Sequence, residues 1–205
     1  MKHIENALTK KLGIKFPLIV GPMAGGPSSV DLVATASESG ALGSIGGAYL
    51  SPPALETFIL NVHKKTPHHF SVNLFIPSSP AQITTEKINL AIRRTEPIRS
   101  ELLLPPPVLA APYEENFSAQ FEIVIKQKPK VFSFVFGSLK EHYTKELKKL
   151  GIFIIGTATT PDEAFELVEA GVDAIVAQGV DSGGHRGIFD SSAEDPGLKT
   201  IDLIK

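Results

Sequence analysis

The stretch 152-IFIIGTATTPDEAFELVEAGVDAIVAQG-179 contains a complete strand–helix–strand unit. Its first run, 152-IFIIGTA-158, is apolar almost throughout rather than alternating, which suits a strand buried on both faces. Thr160 then stands as an N-cap, with Pro161 at the first helical position and Glu163 three residues after the cap. Ala164, Leu167 and Val168 are placed for one helical face, and Gly171 can close the helix in the left-handed conformation. A second apolar run, 174-AIVAQG-179, follows at once. Two such strands joined by a helix lie parallel.

The same grammar extends in both directions. Further apolar runs are 18-LIVGPM-23, 41-ALGSIG-46, 70-FSVNLF-75 and 131-VFSFVFG-137. Helical stretches separate them. 27-PSSVDLVATASESG-40 ends on Gly40, and 51-SPPALETFILNVHK-64 opens on Ser51 and Pro52 with Leu55, Phe58, Ile59 and Val62 at helical spacing. In 138-SLKEHYTKELKKLG-151, Ser138 and Glu141 are spaced for a capping box and Gly151 closes. One interval breaks the rhythm. Residues 77–128 hold 77-PSSP-80, a helix from about 84 to 94, a proline-rich crossing at 103-LLPPPVLAAP-112, and a helix from about 117 to 128. That segment reads as a surface insertion or extended crossover; the alternative is a lid. The whole is one α/β domain with about six strand–helix units. A closed eight-stranded barrel takes roughly 250 residues, and this chain has 205. Either a smaller open sheet or a barrel lacking its last quarter satisfies the pattern, and 198-LKTIDLIK-205 looks like a helix just begun.

Composition narrows the function. The chain is 42% hydrophobic and 20% charged, ordinary for a soluble globular protein. A net charge of −2 argues against nucleic acid or an anionic membrane as partner. With no cysteine, a disulfide framework, a zinc–thiolate site and a thiol nucleophile are all excluded. The charged N-terminus, 1-MKHIENALTKKLGIKF-16, lacks a signal-peptide core, and no apolar run approaches the roughly 20 residues of a membrane span. A cytoplasmic location is expected. No Walker loop, H-E-x-x-H, G-x-S-x-G or G-x-G-x-x-G after the first strand is present, so phosphoryl transfer, zinc hydrolysis and acyl-enzyme chemistry lose weight.

In parallel α/β proteins, ligands bind beyond the C-terminal strand ends. Five of the six expected ends here are glycine-rich, among them 21-GPMAGG-26, 156-GTATT-160 and 178-QGVDSGGHRG-187. Glycine lets a ligand approach the main chain closely, so a flat ligand pressed on backbone amides, or a phosphate held by them, fits this rim. Asn73 and Gln178 are amides inside otherwise apolar strands. They read equally as internal hydrogen bonds or as recognition of a heteroaromatic edge. His185 is the histidine that falls in a glycine loop at a strand end, flanked by Asp181 and Arg186, whereas His3, His63, His68, His69 and His142 fall on helices or surface stretches. It is either a proton-transfer group or an idle loop residue.

Together, 17-PLIVGPMAGGPSS-29, 72-VNLF-75, 133-SFVFG-137, 156-GTATTPDEA-164 and 177-AQGVDSGGHRG-187 resemble the nitronate monooxygenases, formerly 2-nitropropane dioxygenases, in family order and over almost the whole chain. Flavin-type enoyl-acyl-carrier-protein reductases share a loop similar to the last motif. The resemblance implies a TIM-barrel flavoprotein with non-covalent FMN that oxidises alkyl nitronates with O2 to a carbonyl compound and nitrite. It implies that the main chain of Gly21, Pro22 and Met23 packs on the flavin ring, that Asn73 and Gln178 hydrogen-bond it, that Gly183 lies against it, and that His185 engages the nitronate and acts as base. No metal is implied. The chain departs from the family pattern at Asp181-Ser182, where Glu-Ala is usual, and at Val135, often polar in relatives. Family members run well past residue 205, and their last strands supply the turns that hold the FMN phosphate. The expectation is therefore the ring-facing half of a flavin site in a truncated barrel. Its two open edges invite pairing with a second copy. The alternatives are an enoyl-reductase-like enzyme and a non-catalytic remnant serving binding or assembly.

Overall fold

The computed structural model describes residues 5–77, 84–107 and 113–205. His3, positions 78–80 of the 77-PSSP-80 turn and positions 108–112 of the proline-rich crossing lie outside the described residues. In chain order the elements are α1 (Ala7–Leu12), α2 (Val30–Glu38), β1 (Gly43–Gly46), α3 (Pro52–Lys65), β2 (Phe70–Phe75), α4 (Thr85–Glu101), α5 (Phe117–Gln127), β3 (Val131–Val135), α6 (Glu141–Lys149), β4 (Phe153–Ala158), α7 (Pro161–Glu169), β5 (Ala174–Ala177) and α8 (Thr200–Leu203). Two compact units result: Met1–Pro77 with Glu115–Lys205, and Ser78–Glu114.

All strand pairs in the larger unit are parallel, in the order β1-β2-β3-β4-β5. That order never reverses. A doubly wound sheet reverses at its switch point, whereas a barrel wall is laid down strand by strand. The arrangement is thus of TIM-barrel type. The expected first strand, 18–23, is reduced to a single parallel bridge between Ile19 and Leu42. Leu42 donates to the Leu18 carbonyl at 2.9 Å, and Val20 to the Leu42 carbonyl at 2.9 Å, so the segment occupies a sixth position beside β1. Pro22 stands two residues beyond Val20, where the next ladder donor would fall, and offers no N–H.

The strands sort their side chains with period two. Ile45, Phe70, Val72, Leu74, Phe132, Phe134 and Ile154 join one core cluster with Leu55, Ile59, Val62, Phe121, Val124, Leu147 and Leu167 from the helices. Leu55, Ile59 and Val62 recur every three to four residues along α3 and are fully buried, each worth about 1.5–3 kcal/mol. The opposite strand face carries Ser44, Ser71, Asn73, Ser133, Ile155 and Thr157. Below it Leu12 and Ile14, at the end of α1, pack with Leu42, Val131 and Ile155 as a second cluster. Asn6 and Thr9 cap α1 reciprocally.

Several sequence expectations change. β5 is not buried on both faces: it pairs only with β4 among the described residues, and Val176 is exposed. Ser138 and Glu141 do not form a capping box. Leu139 is buried in the core, the helix starts only after it with Lys140 as N-cap, and Glu141 pairs with Lys145 at 2.6 Å. On α7 the inward positions are Glu163, Ala164 and Leu167; Val168 lies a further 100° round the helix and is exposed. The helix expected over 84–94 is α4, which continues to Glu101 through Pro97. Thr95 Oγ1 donates to the Ile92 carbonyl at 2.9 Å and Arg99 pairs with Glu96, so side chains brace the backbone around the proline. The other helix of that interval, α5, belongs to the larger unit: Phe121 and Val124 are buried, and Gln120 Nε2 donates to the carbonyls of Gly47 (3.1 Å) and Leu50 (2.7 Å).

Candidate functional site at the strand ends

The inner face of the strands opens into a cavity of about 410 Å³, within the range of small-molecule sites. Ser44, Ser71 and Ser133 supply hydroxyls along it, with Ile155, Thr157 and Val176 beyond. Asn73 is 5% exposed, and its Nδ2 donates to Ser133 Oγ at 3.0 Å. Ser71 Oγ and Ser133 Oγ lie 3.3 Å apart. These polar groups sit where a barrel interior usually packs branched aliphatics.

Aromatic groups frame the same cavity. Phe75 and Phe136 line it and meet edge to face at 4.8 Å, and Tyr49 meets Phe75 edge to face at 5.6 Å. Phe136 has φ of 71°, in the left-handed region that non-glycine residues rarely adopt. Such strain concentrates where the surroundings hold a site in shape. Gly46 explains how the first loop comes in. A Cβ there would stand 2.5 Å from the Ala24 amide nitrogen and 2.6 Å from the Met23 carbonyl carbon, so only glycine lets 23–24 cross β1.

Of the residues singled out from the sequence, Gly21, Pro22, Asn73, Gln178, Gly183 and His185 all line this one cavity. Met23 does not. Its amide donates to Ser28 Oγ at 2.9 Å and its side chain is largely exposed. Gln178 has a second occupation. Its Oε1 accepts the Gly187 amide at 2.6 Å and its Nε2 donates to the His185 carbonyl at 2.9 Å. It therefore spans the loop that carries His185. The His185 imidazole itself is exposed and makes no hydrogen bond to protein among the described residues. Asp181 makes no hydrogen bond or ion pair to it among the described residues. Asp181 Oδ1 accepts the Thr200 amide (2.8 Å) and hydroxyl (3.0 Å), led by the amide in holding its carboxyl below the usual range.

The period-two placement of Ser44, Ser71, Ser133 and Thr157 could have signalled the polar inner face. The reach of Glu163 to Phe189 and of Arg186 to Thr159 had no local signal, since those partners stand 26 and 27 residues apart along the chain. Glu163 Oε2 accepts from the Thr159 amide (2.6 Å) and hydroxyl (2.7 Å), and its Oε1 accepts from the Phe189 amide (2.8 Å). No group of metal-ligating side chains occurs among the described residues, and no helix there is long and apolar enough to cross a membrane.

The arrangement can hold a flat ligand. An added Cβ at Gly21, Gly183 or Gly184 would meet nothing within 4 Å, so these glycines leave open space for a ring to approach the main chain. Amides and hydroxyls answer its polar edge, aromatic groups its faces, and an imidazole stands free beside it.

A parallel, sequentially ordered strand wall with its cavity at the C-terminal strand ends defines a TIM-barrel-type α/β protein. The family model for nitronate monooxygenase matches residues 5–205, and the chain belongs to that family. A probable nitronate monooxygenase of Staphylococcus aureus (strain MSSA476) is 40% identical over 98% of this chain and 56% of its own. The chain thus spans little more than half the length of that curated relative. Among solved structures, nitroalkane oxidase from Streptomyces ansochromogenes superposes with a TM-score of 0.84 at 28% identity, over 97% of this chain and 56% of that one. A FabK mutant from Thermotoga maritima gives 0.70 at 25% identity, over 98% and 52%.

Proposed function

We propose that this chain serves the FMN-dependent oxidation of alkyl nitronates by O2 to a carbonyl compound and nitrite. The observation that carries the reading is His185, free in the glycine loop after β5, on the wall of a cavity it shares with the Asn73 and Gln178 amides. FMN, when bound, supplies the electron acceptor and the route to O2. The residues present fit its ring: open glycines at 21 and 183, amides in the wall, and aromatic groups beside them.

In this reading the main chain of Gly21 and Pro22 lies along the ring, with Met23 next in the same segment. Gly183 allows close approach from the opposite loop. Ser133 orients the Asn73 amide through Nδ2, so its carbonyl oxygen is presented to the ring edge. Gln178 meets that edge while it spans the 185–187 loop. His185 hydrogen-bonds the nitronate oxygens, or takes the α-proton when the neutral nitroalkane arrives. The apolar groups Phe75, Val135 and Phe136 exclude water beside the substrate. Small-molecule nitronate and O2 are the partners, in the cytoplasm. The edge of β5 that is unpaired among the described residues also favours association of two copies, which light scattering of the eluted protein reads directly.

The experiment is an FMN titration followed by visible absorbance, then nitrite release from an alkyl nitronate. Absence of both flavin peaks and nitrite would sink the reading. The 183-GGHRG-187 loop also favours a second reading, a flavin-dependent enoyl reductase. NADH consumption on an enoyl thioester without nitrite release from nitronate would select it.

A further inference from the structure

The His185 imidazole has no hydrogen-bond partner among the described residues, so nothing aims it except its own main chain. That main chain is held on both sides. The His185 carbonyl is fixed by Gln178 Nε2, and the Gly187 amide by Gln178 Oε1. Between them Arg186 turns the other way. Its guanidinium donates to the Gln178 carbonyl, to the Thr159 carbonyl at 3.3 Å, and through Nε and Nη2 to both oxygens of Asp195 at 2.7 and 3.1 Å. One side chain thus ties the ends of β4 and β5 to the far arm of the loop. Gly187 leaves no slack, since a Cβ there would stand 2.7 Å from Val135 Cγ2.

A two-pronged guanidinium–carboxylate pair fixes orientation as well as distance. Arg186 is half-buried, with a side-chain exposure of 21%, while Asp195 sits in an exposed segment. Asp195 is itself shaped to receive the fork, because its Oδ1 also accepts the Gly197 amide at 3.0 Å. Neither Arg186 nor Asp195 lines the cavity itself.

We infer that Arg186 and Asp195 form a positioning pair that sets the direction of His185 over the cavity. The inference rests on the reading of His185 given above. It assigns neither residue a contact with substrate. Arg186 acts by holding the peptide that follows His185, and Asp195 acts by holding Arg186.

The test uses Asp195→Asn, which keeps the size and removes the charge, and Arg186→Lys, which keeps the charge and removes the fork. Both are compared with the unaltered protein by hydrogen exchange of the 183–189 amides and by steady-state nitronate kinetics. Expected is exchange at Gly187 and Phe189 about tenfold faster, and kcat lower by roughly 10- to 100-fold with KM within about twofold, as for misplacement of a reacting group. Asp195→Glu, which retains a carboxylate, restores part of kcat. Unchanged exchange overturns the clasp. Faster exchange with unchanged kcat overturns its bearing on His185. If Arg186→Lys fails to fold, Asp195→Asn decides alone. Should the unaltered protein bind no flavin and release no nitrite while Gly187 exchange still responds to Asp195→Asn, the nitronate reading fails and the clasp stands.

Discussion

Glu163 Oε1 accepts the Phe189 amide at 2.8 Å, joining the first turn of α7 to the segment that leaves the His185 loop. The same carboxylate accepts two bonds from Thr159 at the end of β4. It is 9% exposed. A buried carboxylate with three donors stands as the knot between a strand end, a helix start and the segment that follows the His185 loop.

Glu163→Gln should therefore cost about 1–3 kcal/mol, because the new amide turns a donor toward a donor and leaves a buried N–H unpaired. The midpoint of urea unfolding measures this directly. An unchanged midpoint would remove Glu163 from the structural account.

Two glycines in one loop should behave oppositely. A Cβ at Gly179 would lie 2.0 Å from the Thr200 amide nitrogen and 2.3 Å from Asp181 Oδ1, whereas one at Gly183 meets nothing within 4 Å. Gly179→Ala should destabilise by about 1–3 kcal/mol through overpacking against backbone. Gly183→Val should leave the melting temperature nearly unchanged and weaken FMN binding, seen as a higher midpoint in the absorbance titration.

His185→Ala should lower nitronate turnover by about 10²–10⁴-fold, the usual contribution of a positioned acid–base group. The imidazole makes no hydrogen bond that the fold depends on among the described residues. FMN affinity and the melting temperature should stay within error. Loss of flavin with loss of activity would make His185 a cofactor ligand instead.

The Arg186 guanidinium, with the Gly197 amide second, holds the Asp195 carboxyl down at about 2. Its pKa is lower folded than unfolded, so the pair's contribution is full above the unfolded value near 4 and is lost as pH falls toward 2. Carbon-13 NMR of the Asp195 carboxyl should titrate with a midpoint near that lower value, and Arg186→Lys should move it up.

Much of this was legible locally. The apolar runs at 70–75, 131–137 and 152–158 and the caps at Thr160 and Gly171 mark strands and helices because backbone hydrogen bonding and side-chain period are short-range. Asn73, Gln178 and His185 were singled out the same way, since strand ends in parallel sheets are where ligands bind, whereas Gly21 and Gly183 came with the family resemblance. What failed locally failed for a reason of neighbours. Ser138 has the spacing of a cap, yet the burial of Leu139 delays the helix. Residues 18–23 have the composition of a strand, yet Pro22 limits them to one bridge. Val168 has helical spacing, yet the face of α7 that reaches the sheet is set by Glu163 and Leu167.

The sequence by itself determined the elements, their parallel alternation and the chemistry available at the rim, because propensity, capping and periodicity act within a few residues. Tertiary structure alone decided that the strands follow one another without reversal, and that Gln178, Arg186 and Glu163 converge on the loop of His185. Those partners stand between 7 and 27 residues apart along the chain, and only the closing of the βα units brings their charges and dipoles within hydrogen-bonding reach.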